Sequence, residues 1–85
     1  MTVSVYVLDV PEFEPVVRTA LTAGMDVHRA GDYLELTTQD REVVLRREET
    51  GMRPALWHAM LTGGLDGRIV AFTPDVVHLA EGAGA

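Results

Sequence analysis

Valine alternates with other residues from Thr2 to Leu8, so Val3, Val5 and Val7 share one side of a first strand. Asp9 stands three positions before Glu12, an arrangement that resembles a helix-starting capping box. Phe13, Val16, Val17, Ala20 and Leu21 follow at helical spacing and line up as one apolar stripe, and Gly24 supplies the stop. The helix starts either at Pro11 or at Glu14–Pro15, because a helix begun at Pro11 would place Pro15 just past the first turn, where proline is tolerated.

Met25 to Ala30 reads as a second strand and Gly31–Asp32 as a bend. The alternation that follows predicts a hairpin with Gln39–Asp40 at its tip, Leu36 opposite Val43 and Leu34 opposite Leu45 on the buried side. Its other side would set Glu35 beside Val44 and Tyr33 beside Arg46, with the guanidinium over the ring, as a surface open to a partner. After Glu48 the pattern changes. Pro54 suits the first turn of a second helix, Leu56, Trp57, Met60 and Leu61 recur on one side of it, and Gly63–Gly64 ends it. Arg68 to Thr73 and Val76 to Ala80 are the last strands, before a frayed tail over residues 81–85. The order is β-α-β-β-β-α-β-β, which predicts a small single α+β domain over residues 1–85, with a mostly antiparallel sheet and two helices.

At 85 residues the chain has room for one small core and no deep pocket of its own, and 47% hydrophobic with 24% charged residues is an ordinary globular balance. With no Cys and no Lys, thiol nucleophiles, disulfides, thiolate metal sites and Schiff-base lysines are excluded. A net charge of -6 opposes nucleic-acid binding, so the basic cluster Arg41, Arg46, Arg47 and Arg53 points to a strand edge or an acidic protein. No signal-like segment or bilayer-length apolar run is present in the sequence, and the expectation is a cytoplasmic protein with no membrane partner.

Candidate chemistry is sparse. His28, His58 and His78 fall in three different elements; only Asp26 and His28 would share a side, one donor pair where a catalytic zinc needs three protein ligands. Ser4 has no histidine or acid that the sequence places near it, and the acidic pairs Glu12/Glu14 and Glu48/Glu49 suit capping and solvation. The stretch Gly63-Gly64-Leu65-Asp66-Gly67-Arg68 lacks the lysine and hydroxyl of a phosphate loop. These residues describe an acidic α+β binding module without visible catalytic groups.

The run from Val27 through Tyr33 and Leu36, then Val43-Val44-Leu45-Arg46-Arg47, Gly51-Met52-Arg53-Pro54 and Gly67-Arg68-Ile69, resembles the effector (coupling or regulatory) proteins of soluble bacterial multicomponent diiron monooxygenases. The similarity spans about residues 4–79 and includes Glu14-Pro15-Val16-Val17 in the early helix. It departs from the family pattern where Met52 separates the glycine from the basic residue and Ala55 follows the proline. The resemblance implies a non-catalytic chain holding no cofactor. Its partner would be a hydroxylase with a carboxylate-bridged diiron centre, supplied with electrons from NADH by a reductase carrying flavin and iron–sulfur groups. Tyr33, Arg46, Arg47, Arg53 and Arg68 are the candidate contacts, because aromatic and arginine side chains dominate interface energetics. A second reading is an amino-acid-sensing regulatory α+β domain, suggested by the helix after Asp9-Val10-Pro11 and by Gly24-Met25-Asp26-Val27. A small metal-assisted isomerase or hydrolase is the third.

Overall fold

The alternating valines place Val3, Val5 and Val7 inward on β1 (Val3–Leu8), and all three are buried. In the computed structural model, which describes residues 2–82, this strand is followed by a short 3-10 turn (Pro11–Phe13) and by α1 (Glu14–Thr22). Regular helix thus starts at Glu14 with Pro15 in its first turn, the second of the two starts the sequence allowed. The residue at the N-cap of the 3-10 turn is Val10, with no side-chain cap, and Asp9 instead pairs with Arg29 at 2.8 Å. Phe13, Val16 and Ala20 carry the buried stripe; Leu21 overshoots the sheet and faces solvent while Thr19 is buried in its place. Gly24, at φ +91°, turns the chain out of the helix.

β2 (Asp26–Ala30) and β3 (Tyr33–Thr38) pair antiparallel, and β3 also takes β1, with Val5 opposite Leu36 and Val7 opposite Leu34. With both edges of β3 occupied, β4 (Glu42–Arg46) cannot pair with it. The predicted β3–β4 hairpin is therefore not formed. β4 crosses to a second sheet and pairs with β7 (Val76–Ala80), so Val43 lies opposite Leu79, Leu45 opposite Val77 and Arg46 opposite Val76. Tyr33 and Arg46 end in different sheets, and so do Glu35 and Val44. The first sheet has the order β2-β3-β1-β5, with β5 a two-residue strand (Leu65–Asp66), and the second has the order β4-β7-β6, with β6 at Arg68–Phe72.

Between β4 and β5 the chain forms α2 (Arg47–Thr50), α3 (Pro54–His58) and a 3-10 turn (Ala59–Leu61). The single turn α2 replaces the expected end of β4, and its stop is Gly51 at φ +71°. Trp57 and Met60 project from the α3 region into the core with Leu36, Leu45, Val77 and Leu79. Trp57 is fully buried, and its indole N–H donates to the Thr73 carbonyl at 2.9 Å. The architecture is α+β, one small domain with antiparallel strands in two sheets and three short helices among the described residues. The end of the tail, residues 83–85, lies outside the described residues.

Gly67 makes the corner between β5 and β6. Its φ is +135°, and a Cβ there would lie 2.7 Å from the Ala80 carbonyl oxygen. Gly67→Ala is expected to lower the stability by about 2–3 kcal/mol, from the close approach and the backbone conformation together. Urea unfolding should show a reduced midpoint at unchanged slope.

Candidate functional site

Each sheet turns one face to the core, and the other face is the more exposed, with Ser4 and Ala80 buried on it. On the first sheet, strand register places Tyr6, Glu35 and His28 in one row and Ser4, Thr37 and Asp26 in the next, with Asp66 beyond Ser4. The Ser4 hydroxyl donates to Thr37 Oγ1 at 2.9 Å, and the Tyr6 hydroxyl donates to Glu35 Oε2 at 3.0 Å. The hydrogen bond to Glu35 and the charges of Glu35 and Asp66 hold the Tyr6 phenol above its ordinary value of 10.0. Asp26 and His28 do share a side, as the sequence predicted. Among the described residues no three His, Cys, Asp or Glu side chains are grouped closely enough to hold a metal ion. The described residues enclose no pocket, and no helix is long and apolar enough to cross a membrane.

The outer face of the second sheet is different in chemistry. Val44, Arg46, Val76, His78, Arg68 and Ala71 share it by register, while Val43, Leu45, Val77 and Leu79 point the opposite way into the core. A bulge between Ile69 and Ala71 displaces Val70 at the β6 edge. Val44, 40% exposed, lies in the middle row of this face, while Val70 and Ile69, 45% and 50% exposed, lie at the β6 edge, Ile69 on the side of Leu79. Glu42 meets His78 at 3.2 Å, whereas Arg46 and Arg68 make no ion pair among the described residues.

The five residues singled out from the sequence do not form one surface. Arg46 and Arg68 share the outer face of the second sheet, at diagonally opposed corners. Tyr33 lies on the first sheet beside Leu8 and Ala30, with its ring 2.9 Å from where a Gly63 Cβ would stand. Arg53 is exposed at the N-cap of α3, away from that face. Arg47 turns inward. Its guanidinium donates to the Pro74 and Met52 carbonyls and lies 3.5 Å from Asp75, tying the α2–α3 connection to the β6–β7 turn. Of the four arginines of the expected basic cluster, Arg47 is spent on internal bonds.

Val44 stands exposed as the sequence predicts, but opposite His78 of β7 and not beside Glu35, because the sequence reading pairs β4 with β3 in place of β7. The signal was present in Val77 and Leu79, whose alternation matches that of Val43 and Leu45 and fits them as ladder partners. No known family model matches the chain, and no curated protein matches it.

Two outcomes follow from these contacts. Arg47→Met should destabilise the fold by about 2–3 kcal/mol, since it strips charge-assisted bonds from two carbonyls, and Arg47→Lys should recover only part of this in urea unfolding. The raised Tyr6 value means the folded state holds its phenol proton more tightly than the unfolded chain. Its contribution is full below about pH 10 and is lost as pH rises through the folded-state value. In a Tyr33→Phe background, phenolate absorbance should show Glu35→Gln shifting the Tyr6 titration down towards its ordinary range.

Proposed function

We propose that this chain is a non-catalytic effector protein of a cytoplasmic multicomponent monooxygenase, which binds the diiron hydroxylase and regulates its rate, coupling, and oxygen or substrate access. The observation that carries this reading is the outer face of the second sheet. It exposes Val44 between Arg46 and Arg68 on a chain whose net charge is -6. An apolar centre with arginines at its margin is the composition of a protein-binding surface, and unpaired arginines favour a carboxylate-bearing partner. The resemblance over residues 4–79 supplies the partner: the motifs around Val43–Arg47 and Gly67–Ile69 lie on or beside the two strands that border this face.

Regulation of this kind needs only differential affinity. An effector that binds one hydroxylase conformation a hundredfold better than another shifts their balance by about 2.7 kcal/mol. The diiron centre, NADH and the reductase's flavin and iron–sulfur groups belong to the partners, and substrate choice belongs to the hydroxylase.

Titrating the chain into purified cognate hydroxylase and reductase should raise product formed per NADH consumed, saturably. The double variant Arg46→Glu/Arg68→Glu should keep the wild-type melting temperature and weaken the half-saturating concentration at least about tenfold. An unchanged ratio and rate, with no complex detected, would refute the proposal.

A further inference from the structure

Arg46 is opposite Val76 and Arg68 is opposite Ala80, so the two arginines stand four residues apart along β7 and on its two neighbouring strands. At about 3.3 Å per residue and about 4.8 Å per strand, their Cα atoms are roughly 16 Å apart on the diagonal. Val44, His78 and Ala71 form the row between them in the middle of the face, with the Val70 bulge at the β6 edge. β7 is paired on both sides, which leaves the centre of this face with side chains and no free backbone ladder to offer. Whatever covers it must pack by side chains, as a helix does on a sheet.

We infer that this face receives an amphipathic helix of the partner that carries two carboxylates about 11 residues apart at the two ends of an apolar stripe. The number follows from length and from angle. A rise of about 1.5 Å per residue converts roughly 16 Å into about 11 residues, and about 11 residues is close to three whole turns, so both carboxylates point to the same side. Carboxylates about seven residues apart would also share a side but would span only about 10 Å, a poorer match to the diagonal. The remaining acidic group at this face, Glu42, faces His78, which leaves the diagonal as the direction along which acidic side chains are accepted. This inference rests on the docking reading above and adds the chemistry of the docked element.

The test uses the full chain and designed peptides. A helical alanine–leucine peptide with glutamates about 11 positions apart is titrated into isotope-labelled protein while amide resonances are followed, beside a peptide with glutamates about seven apart. Saturable shifts at Val44, Arg46, Arg68, Val70 and His78 are expected, with at least fivefold weaker binding of the shorter-spaced peptide. The Arg46→Glu/Arg68→Glu protein should lose the first peptide and bind a version with arginines in place of its glutamates. Equal binding of both spacings, no saturable shift, shifts confined to the Tyr6 and Glu35 face, or a chain that dimerises on its own through this face would each overturn the inference. No hydroxylase is present in this assay. A hydroxylase indifferent to the chain therefore leaves its result untouched, and peptide failure beside a working coupling assay removes only the helix.

Discussion

A chain this short can bury one side of each sheet and no more, and that constraint organises the molecule. Val3, Val5, Val7 and Leu36 from the first sheet meet Val43, Leu45, Val77 and Leu79 from the second, with Trp57 and Met60 filling the space between them. Because one core serves both sheets, two outer faces are left over. They diverge in chemistry: hydroxyls, a tyrosine–glutamate pair and carboxylates on one, a valine between arginines on the other. The glycine corner at Gly67 and the Arg47 bonds hold the β6–β7 region against the rest of the chain, and so fix the shape of the second face.

Most elements were legible because their periodicity is local. The alternation of Val3, Val5 and Val7, the Phe13–Val16–Ala20 stripe with its Gly24 stop, and the Pro54 and Gly64 limits of the α3 region all survive in the structure. Strand pairing was not legible to the same degree. Leu34 and Leu36 alternate in step with Val43 and Leu45, and a short connection at Gln39–Asp40 favours a hairpin on local grounds. What defeats it is nonlocal: β1 and β2 already occupy both edges of β3, and Val77 and Leu79 offer β4 an equally apolar partner.

The candidate contacts fared according to the same distinction. Arg46 and Arg68 lie exposed on the outer face of the second sheet. Arg47, next in sequence, is drawn into carbonyl bonds because β4 ends at Arg46 and the chain turns helical at the following residue. Tyr33 was tied to Arg46 only through the hairpin, and without it the ring packs over the Gly63 turn on the other sheet. Composition argued for a binding module, and the resemblance named a monooxygenase hydroxylase as its partner. The uneven chemistry of the two faces adds where on the molecule that partner would sit.

The central claim is that the second sheet's outer face is the docking surface for the hydroxylase. Cross-saturation from protonated hydroxylase to the deuterated chain addresses it directly, because the transfer marks only amides at the interface. The account predicts attenuation at Val44, Arg46, Arg68 and Val70. Attenuation confined to the Tyr6, Tyr33 and Glu35 face, or none at saturating hydroxylase, would contradict it.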